Sequence, residues 1–203
     1  MEVVVISTMY DVNLTKSYFQ SQSDINVMDL SIGDVLKETA AHRTGAEALV
    51  EITRNGEEGR RWTYGELFKE SVDLAHALAS RFEKGSHIVI WAPNIPEWVL
   101  MEYAAALAGV VLVTANPALQ EKELRYILEQ SEAVGLFLVS EFRGNPMKEI
   151  AEQAVFSNSL IREVTDMADY EQLFLNKNEN RVLPDVSPKD PAQIQYTSGT
   201  TGF

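Results

Sequence analysis

The chain has no cysteine among its 203 residues, so it forms no disulfide and supplies no thiol nucleophile of its own. It is also short of positive charge: 17 Lys and Arg stand against 30 Asp and Glu, for a formal net charge of −13. Nucleic-acid binding needs a basic face and anionic lipid attracts one, so this balance argues against both partners. Its ordinary consequence is a self-repelling surface. No apolar run reaches membrane-spanning length, and the opening Met1-Glu-Val-Val-Val-Ile6 lacks the basic start of a secretory signal. A transmembrane segment is therefore not expected, and the cytoplasm is the expected location. Missing too are the GxxxxGK[S/T] and GxGxxG phosphate signatures, internal repeats and low-complexity tracts.

What is present is concentrated in the last eleven residues, Gln193 to Phe203. Ala192, Ile194 and Tyr196 alternate with Gln193 and Gln195, the period of a strand with one buried face. The strand runs into Thr197-Ser198-Gly199-Thr200-Thr201-Gly202, four hydroxyls and two glycines in six residues. Glycines let the backbone adopt positive φ and approach a ligand closely, so successive N–H groups can converge on one anion. Hydroxyls add donors for phosphate oxygens and oxygen ligands for Mg²⁺. The pattern reads as a polyphosphate cradle. A flexible polar tail has the same composition, and the context ahead of the loop decides between them.

That context is α/β. Ser31 caps a helix with Ile32, Val35, Leu36 and Ala40 at helical spacing. Ala48–Ile52 and Arg60–Thr63 flank Asn55-Gly56 as a hairpin, and Thr63 with Glu66 forms a capping box. The helix behind it places Phe68, Val72, Ala75, Ala79 and Phe82 on one stripe, with Gly85 as its stop; His76 within it reads as a surface or core-edge residue. Strands are expected near 87–91, 110–113, 134–139 and 192–196, with helices over 97–108 and 120–130 and one opening at Asn145-Pro146. Asn94 and Pro96 suit the cap and first turn of the 97–108 helix. Strand–helix–strand alternation predicts right-handed crossovers and a mostly parallel sheet with flanking helices. Residues 1–30 are polar and irregular, and 176–191 is a polar connection back to the sheet. A cradle beyond such a sheet is where α/β folds bind ligands.

Tyr196 to Gly202 resembles the phosphate loop of the adenylate-forming (AMP-binding) superfamily, YTSGTTGxPKG, with Phe203 on its variable position. Three further stretches are similar to family segments in the same order: Trp62-Thr-Tyr-Gly-Glu-Leu67, Trp91-Ala-Pro-Asn-Ile-Pro-Glu-Trp98, and Leu107 to Ala118. Those three read as packing and turn chemistry; only 197–202 carries chemistry. The resemblance covers residues 31–203 and is of the acyl-CoA synthetase, fatty-acid–CoA ligase type.

The resemblance implies activation of a carboxylic acid by Mg·ATP to an acyl-adenylate and pyrophosphate, followed by transfer to coenzyme A. It makes Thr197, Ser198, Gly199, Thr200, Thr201 and Gly202 the contacts for the ATP phosphates, Thr200 and Thr201 through their hydroxyls. It implies ATP, Mg²⁺ and coenzyme A as co-substrates and a small-molecule acid as partner. The family's loop lysine, adenine and acyl pockets and lysine-bearing C-terminal domain have no counterpart here, so no catalytic residue is assigned and no metal ligand is identified. The reading is thus of an N-terminal portion of such an enzyme, inactive by itself. An aryl-CoA ligase, a peptide-synthetase adenylation domain and a non-catalytic α/β module that binds a partner are the alternatives.

Overall fold

The computed structural model describes Thr15, residues 28–156 and residues 158–197. Ser31 starts α1 (Ile32–His42): its hydroxyl accepts the Asp34 amide at 3.1 Å while the Asp34 carboxylate accepts the Ser31 amide. Leu36 and Ala40 face inward as expected, but Ile32 and Val35 lie at the surface. Gly33 takes the inward place instead, where a Cβ would meet Leu107 at 2.8 Å. The helix sits too close to its neighbour there for any larger side chain.

Strands β1 (Glu47–Ile52) and β2 (Glu58–Thr63) form the antiparallel hairpin, turning at Gly56 with φ +79°. Thr63 then caps α2 (Tyr64–Arg81); its hydroxyl accepts the Glu66 amide at 3.2 Å and Glu66 accepts the Thr63 amide at 2.9 Å. Of the predicted α2 stripe Ala75, Ala79 and Phe82 are buried, and the seam is broader, adding Leu67, Ser71, Leu74, Ala77 and Leu78. Phe68 and Val72 are only half-buried, and Phe82 is the extended C-cap. Gly85 lies beyond the helix, with φ +82°, in the turn to the sheet. Two packing partners, a helix and the sheet, account for the wider buried face.

The remaining elements are β3 (His87–Trp91), α3 (Pro96–Ala108), β4 (Val111–Ala115), α4 (Glu121–Gln130), β5 (Gly135–Leu138), α5 (Met147–Val155), β6 (Glu163–Asp166), α6 (Tyr170–Leu173) and β7 (Gln193–Gln195). They form a five-stranded sheet in the order β6-β5-β3-β4-β7, every pairing parallel. The four strands read from the sequence are all in it. Strand β6 is an addition to the strands expected from sequence: a four-residue Glu-Val-Thr-Asp edge has too short and too polar a pattern to announce itself. Ile95, without a side-chain cap, rather than Asn94, precedes α3; Pro96 holds its first turn and Gly109, at φ +65°, ends it.

Successive strand residues feed two cores. Ile88, Ile90, Leu112 and Phe137 pack under α1, α2 and α3, whereas Val89, Trp91, Val113, Leu136 and Leu138 pack under α4 and α5. Helix α3 is apolar on most of its circumference and is buried along Leu100, Met101, Ala104, Ala105 and Ala108. Among the described residues no helix is long and apolar enough to cross a membrane.

Candidate functional site

The carboxyl ends of the parallel strands gather the segments that the sequence marks out. The loop after β3 and the loop after β4 are tied together by the buried Trp91, whose Nε1–H donates to the Asn116 carbonyl at 2.8 Å. Asn116 Oδ1 accepts the Ala118 amide at 2.9 Å, an Asx turn that redirects the chain into α4. Asn145 Nδ2 donates to the carbonyls of Pro117 and Leu119, at 2.9 and 3.3 Å, and fastens the loop after β5 to the same rim. The helices leaving β3 and β4 lie on opposite faces of the sheet, so the loops diverge at this end, where open α/β sheets generally bind ligands.

Strand β7, the stem of the predicted loop, ends at that rim. It pairs with β4 through Leu112–Gln193, Val113–Ile194 and Thr114–Gln195. Ile194 and Tyr196 pack on the α4–α5 core while Gln193 and Gln195 are exposed, which is the alternation read from the sequence. Tyr196 meets Tyr126 of α4 edge-on, with ring centroids 6.4 Å apart. Burial, with Tyr126 adding to it, pushes the Tyr196 phenol above its ordinary value, so it stays a neutral donor across the physiological range. Thr197 follows, exposed, just beyond β7. Ser198, Gly199, Thr200, Thr201 and Gly202 lie outside the described residues.

A concavity of about 780 Å³ opens between the hairpin and the carboxyl ends of β3 and β5. Its lining holds the carboxylates of Glu51, Glu141 and Asp166 and the guanidinium of Arg54, an acidic balance that disfavours a polyphosphate. Among the described residues no three His, Asp or Glu are grouped to hold a metal ion.

Sequence reasoning missed the polar frame behind this rim. Arg60 of β2 grips Glu51 with Nε and Nη2, at 2.8 and 3.0 Å, and reaches Glu97 of α3 with Nη1 at 2.5 Å. Glu70 accepts both the Trp62 indole N–H and the Tyr170 hydroxyl. Burial and the Glu70 carboxylate push the Tyr170 phenol far above its ordinary value. The available signal was Glu97 itself, an acid in an otherwise apolar helix start. The motifs Trp62–Leu67 and Trp91–Trp98 thus supply packing and caps and, beyond the reading from sequence, parts of this frame.

Residues 36–203 match the AMP-binding enzyme family (AMP-binding). The chain belongs to that family. It is 30% identical over 215 residues to the medium-chain acyl-CoA ligase ACSF2, mitochondrial, of Rattus norvegicus, and 29% identical over 217 residues to that of Danio rerio. The matches cover 92% and 93% of this chain but 34% and 35% of the relatives, so the chain spans about a third of their length. Among solved structures, the long-chain-fatty-acid-CoA ligase FadD1 from Archaeoglobus fulgidus superposes with TM-score 0.74 at 22% identity, covering 90% of this chain and 37% of that one. The N-terminal domain of FACL13 from Mycobacterium tuberculosis superposes with TM-score 0.70 at 21% identity, covering 83% of this chain and 42% of that one. These likenesses establish the N-terminal α/β architecture of acyl-CoA synthetases for this AMP-binding chain.

Proposed function

We propose that this chain is the N-terminal portion of an ATP-dependent acid–thiol ligase acting on a fatty acid, and that residues 31–203 contribute its phosphate loop. In that reaction a carboxylate oxygen attacks the α-phosphorus, the bond to the bridging oxygen breaks and pyrophosphate leaves. The thiol sulfur of coenzyme A then attacks the acyl carbon, and AMP departs. Thr197, Ser198, Gly199, Thr200, Thr201 and Gly202 hold the β- and γ-phosphates while charge builds on the departing pyrophosphate. Thr200 and Thr201 donate their hydroxyls. Mg²⁺ enters with ATP, as part of that substrate.

One observation supports the reading above the rest: β7 is seated parallel to β4, so the loop sequence begins at the carboxyl edge of the sheet. The test is acid-dependent pyrophosphate release from Mg·ATP across fatty, aryl and amino acids. It is run on the 203-residue chain and on the polypeptide encoded by any open frame continuing past the Phe203 codon. The longer polypeptide is expected to turn over fatty acids, and Thr200→Ala with Thr201→Ala to lower its kcat/KM by about 10²–10³-fold. The 203-residue chain is expected to show no turnover above that control. Preference for aryl or amino acids, or wild-type rates in the double variant, would overturn the assignment.

A further inference from the structure

The sheet has a free edge that the proposed reaction does not use. Among the described residues strand β6 pairs only with β5, so its other side offers backbone donors and acceptors to a further strand. Natural edges of this kind are usually guarded by charge, proline or a bulge; here an apolar group is offered instead. Val164 pairs beside Leu136 and therefore points to the α4–α5 face, where it is 45% exposed. Leu160, in the turn entering the strand, is 46% exposed, and Phe156, at the end of α5, is 93% exposed.

We propose that β6 docks a second copy of this chain, antiparallel and centred on Val164, joining two sheets into one. The strand's own charges favour this register. With Val164 opposite its copy, Arg162 falls opposite the second copy's Asp166, and Asp166 opposite the second copy's Arg162. Both ends of the contact are thus complementary by symmetry. Arg162 is exposed and, among the described residues, its guanidinium makes no hydrogen bond or ion pair within its own chain. Asp166 accepts from Ser140 Oγ and, at 2.9 Å, from the Ala168 amide, which leaves lone pairs for an incoming guanidinium. Ion pairs this exposed set register more than strength; the apolar group supplies the buried area.

Among the described residues, α1 packs in the opposite layer with α2 and α3, and β7 lies at the far edge of the sheet, roughly 19 Å away at four strand spacings. A second copy presents the same strand by symmetry and needs no other partner.

Sedimentation velocity on the 203-residue chain, loaded from about 5 to about 500 µM, tests this, because so short a strand implies a dimer at the weak end of the range. The mass is expected to rise from 22.7 kDa to twice that value with concentration. Arg162→Asp and Asp166→Arg each place like charges opposite each other twice and should weaken the dimer at least tenfold. An equimolar mixture of the two restores both pairs and should associate to within about threefold of wild type. Val164→Lys, which disturbs neither Ser140 nor Ala168, should abolish the dimer with an unchanged thermal melt. A wild-type monomer throughout, a dimer indifferent to Arg162→Asp or Val164→Lys, or a mixture that stays apart would each overturn the proposal.

Discussion

Arg60 and Glu97, 37 residues apart in sequence, meet at 2.5 Å and join the hairpin to the first turn of α3. Glu97 is 7% exposed, while the Arg60 side chain is 47% exposed. Removing the partner of a buried charge costs about 3–5 kcal/mol, and solvent around Arg60 reduces that figure here. Arg60→Ala is expected to lower stability by about 2 kcal/mol in urea titration. Arg61→Ala, whose guanidinium meets the exposed Glu47 and Glu58, should leave the urea midpoint almost unchanged. Equal effects from the two substitutions would refute the assignment.

Trp91→Phe keeps the buried ring in its core but leaves the Asn116 carbonyl without its indole donor. A loss of about 1–3 kcal/mol is expected, with faster amide exchange over 116–119 than over 88–90. Uniform acceleration across both segments would show that the indole does not tie these two loops.

At Gly65 an added Cβ would lie 2.7 Å from Thr44 Cγ2 and 3.1 Å from the Thr44 carbonyl oxygen. Alanine is the better helix former by about 1 kcal/mol, so propensity alone favours Gly65→Ala. The clash is expected to win, destabilising the chain by about 1–2 kcal/mol net. Adding Thr44→Ser removes the offending methyl while retaining a hydroxyl for the Ala40 carbonyl, and should recover part of the loss. A more stable single variant would mean that the Thr44 turn yields freely.

Acid should act on the same frame that Arg60 holds. Hydrogen bonds from the Arg60 guanidinium keep the Glu51 carboxyl below its ordinary value of 4.5. A depressed carboxyl stabilises the fold above the unfolded-state value and loses that contribution as pH falls through the folded one. The gap in melting temperature between wild type and Glu51→Gln is therefore expected at pH 7 and should close below pH 4.5. A gap that is constant with pH would place the effect of the substitution elsewhere.

The parallel sheet was legible because β3, β4 and β5 are buried on both faces and read as unbroken apolar runs between capped helices. Strand β7 was legible for the opposite reason, since one exposed face gives Ile194 and Tyr196 a clean alternation with glutamines. Strand β6 was not legible: Thr165 owes its 3% exposure to tertiary neighbours, and nothing in Glu-Val-Thr-Asp announces them. Asn94 was read as a cap because its side chain is suitable, yet the backbone begins α3 one residue later, and Pro96 fixes that start. The polar frame was out of reach, because Arg60, Glu97, Glu70 and Tyr170 are brought together only by the way the hairpin lies on the sheet. At the candidate site the sequence carries the loop residues, and the structure supplies their stem and its neighbours.

The strand order has a further consequence for how the chain assembles. Between β6 and β7 the polypeptide crosses from one margin of the sheet to the other, by way of residues 167–192. Closing so long a segment costs entropy that is recovered only once β4 is in place to receive Gln193–Gln195, so β7 joins after its neighbours. On a ribosome this order is enforced twice, by topology and by synthesis from the N-terminus. A nascent chain would therefore complete its hydrophobic scaffold before β7 and the residues that follow it can take their place.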